Sequence, residues 1–234
     1  MRFKRTIEQI GIDKFNLLSK STVLILGIGG VGGHACEALA RSGIANIILV
    51  DKSVIDLTNV NRQIIAFSST VGKPKVEVMK ERLLDINPEI NVTTYHEFYN
   101  LETKSKILDH KIDFICDAID TVTFKIDIIK EALTNNISII SSMGMGNKLH
   151  PELIEISELS KTSYDPIAKV IRKKLRSEKI TGKVPVVYSK EEPFKFDETT
   201  SNPASNSFVP ATAGLIMASY IVNKLITEVK KWNQ

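Results

Sequence analysis

The chain contains little cysteine. Among its 234 residues there are two, Cys36 and Cys116, and none follows Cys116. A zinc site built from four thiolates is therefore excluded, and the second half of the chain offers no thiol for nucleophilic chemistry. Both cysteines lie within apolar segments, so we predict buried, unreactive thiols in a protein of a reducing compartment.

A secretory leader and a long hydrophobic run are also missing. No basic segment followed by an apolar region opens the chain, so we expect a cytoplasmic protein. The most apolar stretch is 208–226, and its unbroken apolar part is shorter than the ~20 residues of a typical membrane span. We predict a buried core helix there. The sequence requires no membrane, although it leaves peripheral membrane contact open.

Positive charge is concentrated in one segment. The net charge is +4, and residues 161–183 carry eight lysines and arginines against two acidic residues. The spacing within 165–179 predicts an amphipathic helix with Ile167, Val170, Ile171 and Leu175 on its apolar face. A second face carries Lys169, Arg172, Lys173 and Arg176. Such a stretch is typical of polyanion binding, but a solvated helix face gives the same pattern.

Strand-like and helix-like segments alternate over the first 142 residues. We predict strands at 22–26, 46–50, 91–96, 113–120 and 138–142, and helices at 5–18, 30–42, 74–86 and 121–134. The near-continuous apolar strands indicate a doubly wound, Rossmann-like α/β fold with a mostly parallel sheet. After residue 150, strands at 152–159 and 184–189, the basic helix, a loop at 190–207 and a last helix after Pro210 form a C-terminal extension.

A glycine-rich turn follows the first strand, in the sequence TVLILGIGGVGG at 22–33. A turn of this kind directs backbone N–H groups at a phosphate, and we assign Gly27, Gly29, Gly30 and Gly32 to nucleotide binding. Asp51 ends the second strand, where a carboxylate can accept hydrogen bonds from ribose hydroxyls. By itself the turn is weak support, because tight strand–helix junctions use the same residues.

Cations and a further carboxylate follow Asp51 in the chain. Arg62 and Lys75 lie in NVNRQ and GKPK, and Asp120 ends FICDAID. Hydride transfer needs no such cations, so the pattern disfavours an NAD enzyme, whereas phosphate chemistry needs cations aimed at leaving oxygens. Asp120 could hold Mg²⁺ at those phosphates. Asp117 lies within the strand, and we predict a structural role for it.

These motifs, in this order, resemble the adenylating domain of ubiquitin-activating enzymes and of their bacterial relatives in molybdopterin and thiamin synthesis. The resemblance implies Mg-ATP as a substrate, with catalytic Arg62, Lys75 and Asp120 and with Asp120 as the metal ligand. The implied nucleotide ligands are the four glycines, Asp51, Asn59, Asn61, Gln63 and Thr121. The N-terminal RFKR resembles the arginine-bearing segment of that superfamily, which implies that Arg5 acts in a neighbouring subunit's site and that the protein is a homodimer.

The second half resembles one tRNA-modifying branch of the superfamily, through 158–176, 186–193 and 201–219. This implies one adenylating domain over 1–234, with an ATP-binding part at 1–145 and a substrate-binding, dimerising part at 146–234. It implies adenylation and cyclisation of a threonylcarbamoyl group on tRNA adenosine, without zinc or NAD. The tRNA phosphates would contact Lys169, Arg172, Lys173 and Arg176, and sulfur-transfer or desulfurase proteins would be further partners.

Two other interpretations remain open from the sequence. The first is an activator of a ubiquitin-like sulfur carrier, which the scarcity of cysteine disfavours. The second is a non-catalytic nucleotide- or tRNA-binding scaffold, which the set of Arg62, Lys75 and Asp120 disfavours.

Overall fold

A computed structural model describes residues 2–194 and 203–227. Its seven strands form one sheet in the order β3-β2-β1-β4-β5-β7-β6. The strands are β1 (Thr22–Leu26), β2 (Asn46–Val50), β3 (Asn91–Tyr95), β4 (Phe114–Asp117), β5 (Ser138–Ser142), β6 (Ile154–Glu158) and β7 (Pro185–Ser189). All neighbours are parallel except β6 and β7. The doubly wound, mostly parallel sheet and its C-terminal extension are thus confirmed.

Helices cover both faces of the sheet. They are α1 (Lys4–Ile10), α2 (Ile12–Leu18), α3 (Gly32–Ser42), α4 (Lys75–Ile86), α5 (Lys104–Leu108), α6 (Val122–Thr134), α7 (Pro166–Ser177) and α8 (Val209–Thr227). Alternate residues of β1 enter different cores: Val23 and Ile25 pack with α3, α4 and α8, whereas Leu24 and Leu26 pack with α5, α6 and α7. Burial on both faces explains why β1 and β2 are almost wholly apolar.

The N-terminal region differs from the sequence prediction. A single helix over 5–18 is wrong, because Gly11 has φ +86° and separates α1 from α2. Such a backbone angle lies outside the right-handed helical region, and glycine adopts it without steric cost. The short helix α5 was not predicted either.

Helix α7 forms where predicted, but its apolar face is narrower. Ile171 and Leu175 are buried, whereas Val170 is 51 % exposed. At 100° per residue, Ile167, Ala168, Ile171 and Leu175 share a stripe about 100° wide, and Val170 falls about 60° outside it. Placing Val170 on the apolar face was therefore wrong.

Helix α8 is the core helix expected from the sequence. Its mean hydropathy of 1.4 and its length of 19 residues would also suit a membrane span. In the fold, however, Ala213, Met217 and Ile221 are fully buried. A Cβ at Gly214 would lie 2.3 Å from the Val31 carbonyl oxygen, so the glycine allows α8 to approach the start of α3 closely.

Both cysteines are core residues, as predicted. Cys36 on α3 and Cys116 on β4 have no solvent exposure. Burial raises the pKa of both thiols, which keeps them protonated and unreactive.

Candidate active site at the carboxyl edge of the sheet

A cavity of about 660 Å³ lies where the strand order reverses, between β1 and β4. The residues after β1, β2, β4 and β5 line it. In open α/β sheets this crevice is the usual ligand site, and the volume is in the range of small-molecule and cofactor sites.

The glycine turn is shaped by two close approaches. Gly27 has φ +87°, and a Cβ there would lie 2.6 Å from the Ala118 carbonyl oxygen. A Cβ at Gly32 would lie 1.9 Å from the Gly27 carbonyl oxygen. Gly27, Gly29 and Gly30 line the cavity, whereas Gly32 does not and serves the packing of α3 instead. Among the described residues no side chain caps the N-terminus of α3. The Gly33 N–H donates to the Gly29 carbonyl oxygen at 3.0 Å, so an anion here would have to use the other N–H groups of the first turn.

Asp51 joins the glycine turn to the loop after β2. One carboxylate oxygen accepts from the backbone N–H of Ile28 at 2.7 Å, and the other from that of Ser53 at 2.7 Å. Each oxygen keeps a further lone pair, and the residue lines the cavity. Asp51 is therefore fixed and can still accept hydroxyl hydrogen bonds.

Two cations of the cavity, Arg62 and Lys75, lack carboxylate partners among the described residues. Arg62 donates through Nη1 to the Thr58 carbonyl oxygen and to Asn61 Oδ1, both at 2.9 Å. Lys75 is the first residue of α4 and is 8 % exposed. Within 2–194 and 203–227, neither side chain forms a salt bridge. Uncompensated cations in a partly enclosed cavity favour a polyanionic ligand.

Asn59 and Gln63 line the same wall. Asn59 Oδ1 accepts from the Asp56 backbone N–H at 3.1 Å, which closes the short helical turn Leu57–Asn59. The buried Oε1 of Gln63 has no hydrogen-bond partner among the described residues. Buried acceptors are nearly always hydrogen-bonded, so a ligand in the cavity could supply the donor for this oxygen.

Asp117 has the structural role predicted for it. Its side chain is fully buried, with Oδ2 accepting from Lys125 Nζ at 2.8 Å and from Ser141 Oγ at 2.6 Å. Oδ1 accepts from the Ile119 backbone N–H at 3.1 Å. This bond fixes the turn that carries Asp120 to the cavity.

Asp120 and Thr121 end that turn at the cavity. Asp120 is exposed, and Thr121 Oγ1 donates to its Oδ1 at 3.3 Å. An accessible carboxylate at the cavity is a ligand type that suits Mg²⁺, which binds one or two carboxylates together with substrate phosphates and waters. No cluster of three metal-ligating side chains occurs in the part of the chain that the structure describes.

Two other predicted site residues do not line the cavity. Asn61 is directed to the chain's C-terminal part, where its amide donates to the Ser205 carbonyl oxygen at 3.0 Å. Arg5 is exposed on α1, away from the cavity walls of its own subunit.

Several lining residues escaped the sequence prediction. Lys52 lies 3.6 Å from the centre of the Phe98 ring, at the cavity wall. The segment 143–148, which we call the strap, follows β5 and lines the cavity with Met143, Gly144, Met145 and Gly146. Because residues that follow a parallel strand lie at the ligand-binding edge of the sheet, the sequence could have predicted the strap as part of the cavity wall. No local sequence pattern indicated that Pro203, Ser205 and Pro210 would line the cavity.

Tyr99 is a lining residue held in its neutral form. Its hydroxyl donates to Asp127 Oδ2 at 2.8 Å. Burial, together with the neighbouring Asp127 carboxylate, raises the pKa of Tyr99, so it does not serve as a base at neutral pH.

The basic face of α7 is only partly free. Lys169, Lys173 and Arg176 are exposed, as the sequence suggested. Arg172 is half-buried and donates through Nη1 to the carbonyl oxygens of Leu159 at 3.3 Å and Thr162 at 3.1 Å. Through Nη1 it satisfies backbone acceptors of the preceding short turn, so Arg172 is less free to contact a polyanion than the other three cations of this face.

Comparison with known proteins identifies the family of the chain. The model of the ThiF family matches residues 3–233. The chain belongs to the ThiF family. This membership confirms the superfamily resemblance carried by the glycine turn, the following cations and the DAID turn.

Curated relatives resemble the chain over most of its length. The Bacillus subtilis tRNA threonylcarbamoyladenosine dehydratase is 45 % identical, over 98 % of this chain and 96 % of its own. The Haemophilus influenzae protein of the same name is 35 % identical, over 92 % and 89 %. The structure of the Escherichia coli tRNA N6-threonylcarbamoyladenosine dehydratase in complex with ATP has a TM-score of 0.93 at 33 % identity, covering 99 % of this chain and 96 % of that one.

Proposed function

We propose that this chain is an ATP-dependent tRNA threonylcarbamoyladenosine dehydratase, which activates the threonine carboxylate by adenylation. The observation that carries the proposal is the pair of uncompensated cations, Arg62 and Lys75, beside the glycine turn of the cavity. The similarity to dehydratases of that name over nearly the whole chain supports the threonine carboxylate of threonylcarbamoyladenosine as the acid that is activated.

The cavity residues suit ATP bound as a substrate. The ribose hydroxyls would donate to Asp51, and Gln63 Oε1 would gain its missing donor from the nucleoside. The phosphates would lie against Gly29, Gly30 and the first turn of α3, with Arg62 and Lys75 next to the pyrophosphate.

Asp120 would hold Mg²⁺ against the phosphates, with Thr121 orienting its carboxylate. The ion, when bound, offsets phosphate charge. Asp117 is committed to Lys125 and Ser141 and contributes through the turn rather than as a ligand.

The first chemical step needs no general base. A carboxylic acid with a pKa of ~4 is ionised at neutral pH and is already a nucleophile. Its oxygen forms a bond to the α-phosphorus of ATP, and the bond from that phosphorus to pyrophosphate breaks. Arg62 and Lys75 stabilise the charge that develops on the departing oxygens.

The second step closes a ring within the substrate. A nitrogen of the carbamoyl–adenine system attacks the acyl carbon and loses its proton, and AMP leaves with the former carboxylate oxygen. The net change is loss of one water from the nucleoside. Because this step is intramolecular, positioning supplies much of the rate and no thiol relay is required.

We further propose that the chain is one domain with two functional parts, in which residues 1–145 bind ATP and residues 146–234 bind the substrate and form the dimer interface. Lys169, Lys173 and Arg176 would contact tRNA phosphates. Arg5, exposed on α1, would reach the ATP site of the second subunit in a homodimer. The enzyme would act in the cytoplasm, where sulfur-transfer or desulfurase proteins remain predicted partners.

Isotope transfer tests the proposal. The protein is incubated with ATP and tRNA whose threonylcarbamoyladenosine carries ¹⁸O in its carboxylate, with Lys75→Met as the inactive control. We expect a nucleoside lighter by one water and one ¹⁸O atom in AMP. An unchanged nucleoside, together with pyrophosphate release driven by a carrier protein ending in Gly-Gly, would instead support the sulfur-carrier activator.

A further inference from the structure

A buried ion pair joins the last residue of the strap, Lys148, to Asp165 at the start of α7. The side chains of Lys148 and Asp165 are 1 % and 0 % exposed, with Nζ and Oδ2 at 3.7 Å. Neither residue lines the cavity. Burying two charges costs free energy, so the presence of Lys148 and Asp165 inside the protein needs an explanation.

The pair holds both backbone groups of one strap residue. The Gly144 N–H donates to Asp165 Oδ2 at 3.0 Å, and Lys148 Nζ donates to the Gly144 carbonyl oxygen at 2.8 Å. Gly144 lines the cavity. The position of this part of the cavity wall is therefore set by the buried pair.

The same carboxylate also holds the start of the basic helix. Asp165 Oδ1 accepts from the Ala168 backbone N–H at 2.9 Å and so caps α7. Ile167, in the first turn of α7, itself lines the cavity. Through Asp165, the strap and the first turn of α7 form one structural unit.

The other end of the strap is fixed to the C-terminal segment. The Asn147 N–H donates to the Ala204 carbonyl oxygen at 2.8 Å, and Asn206 Nδ2 donates to the Lys148 carbonyl oxygen at 2.7 Å. The strap thus has attachments on both sides, and Lys148 and Asp165 supply its charged attachment to α7.

We infer that Lys148 and Asp165 are positioning residues, which fix the cavity wall relative to α7 so that a tRNA bound on α7 presents its carboxylate in line with the α-phosphate of ATP. This inference rests on the proposed function. A misplacement of about 1 Å in such an arrangement can cost roughly 100-fold in rate, and we expect it to weaken the binding of either substrate alone much less.

The double variant Lys148→Met/Asp165→Asn tests this role in the full-length protein. It removes both charges together and so leaves no unpaired buried ion, and asparagine can still cap α7. We expect a melting temperature near that of the wild type, dissociation constants for ATP and tRNA within about twofold, and a single-turnover dehydration rate at least tenfold lower.

A matched control lies at the far end of the same helix. Lys130 pairs with Glu178 just after α7, at side-chain exposures of 30 % and 29 %. The variant Lys130→Met/Glu178→Gln also removes an ion pair between α7 and a neighbouring element. We expect its dehydration rate to be unchanged, because this pair does not touch the strap.

The outcomes separate the inference from the proposed function. Dehydration by the wild type with an equal rate in the double variant would overturn the inference alone, as would a rate loss matched by weaker ATP binding and a lower melting temperature. No dehydration by the wild type would overturn the proposed function as well. If the double variant does not fold, Lys148→Gln/Asp165→Asn is measured instead, because it too leaves no unpaired buried charge, and the same loss of rate without weaker binding is expected.

Discussion

Two groups of cations in this molecule occupy opposite physical settings. Arg62 and Lys75 come from different elements and meet in a partly enclosed cavity, without a carboxylate partner in the described chain. Lys169, Lys173 and Arg176 lie on one helix and face solvent, and the neighbouring Lys174 is paired with Glu178.

The difference determines what each group can contribute. Two unit charges 4 Å apart interact by about 1 kcal/mol in water and about 4 kcal/mol at an effective dielectric constant of 20. A cavity cation can therefore stabilise a transition state strongly. A helix cation supplies screened, additive attraction to a polyanion, which affects affinity more than rate.

The largest effect is expected in the cavity. Arg62→Ala should lower kcat/KM for dehydration by about 100- to 1000-fold, the usual effect of losing one aimed donor at developing charge. Steady-state kinetics at saturating Mg²⁺ measure it. Arg41→Ala, which removes an exposed arginine of α3, is the control and should change the value by less than about twofold. A loss of only a few fold at Arg62 would place the residue outside the reacting phosphates.

A backbone comparison tests how the cavity is built. Gly27 and Gly72 have almost the same φ, +87° and +86°, but a Cβ would meet the Ala118 carbonyl oxygen at 2.6 Å in the first case and open space in the second. Gly72→Ala should cost about 1 kcal/mol of unfolding free energy through backbone strain alone. Gly27→Ala should cost about 2–4 kcal/mol, because overpacking adds to that strain. Equal costs in urea unfolding would show that the close approach is not what requires glycine at position 27.

Charge reversal on α7 should alter binding without altering nucleotide affinity. For Lys169→Glu/Lys173→Glu we expect tRNA affinity to fall about tenfold or more and the slope of log K against log salt to shrink by about 2. Filter binding at several salt concentrations measures both. Lys14→Glu/Lys20→Glu, on and just after α2, reverses two exposed charges elsewhere and should leave the slope unchanged. An unchanged slope for the α7 variant would show that this face is a solvated surface that does not contact tRNA phosphates.

The smallest effect concerns the inward-turned arginine of α7. Arg172→Met should lower the unfolding free energy by about 1 kcal/mol, since hydrogen bonds to the Leu159 and Thr162 carbonyl oxygens are lost. The salt slope of tRNA binding should match that of the wild type. A slope smaller by about 1 would show instead that Arg172 contacts a phosphate and belongs with Lys169 and Lys173.

Much of the fold and part of the site could be predicted from local patterns. Apolar runs located β1, β2, β4 and β5, because strands buried on both faces are rich in apolar residues. Asp117 in β4 and Ser141 in β5 are buried exceptions whose side chains are hydrogen-bonded to each other. Side chains after those strands were assigned to one edge, and Asp51, Arg62, Lys75 and Asp120 do line one cavity. The prediction failed at Gly11, where one positive φ divides a helix. It also failed at Val170, whose side chain lies a few tens of degrees around the axis of α7 from the buried stripe and is therefore exposed.

The sequence by itself determined the fold class, the glycine-rich turn after β1 and the absence of thiol chemistry in the second half. These depend on residue type and on spacing along the chain. Only the tertiary structure decided that Arg62 and Lys75 lack carboxylate partners in the described residues, that Arg172 turns inward, and that Lys148 and Asp165 connect the strap to α7. Each of these depends on which groups meet across the fold, and the energy of a charge depends on its neighbours and its burial rather than on its place in the chain.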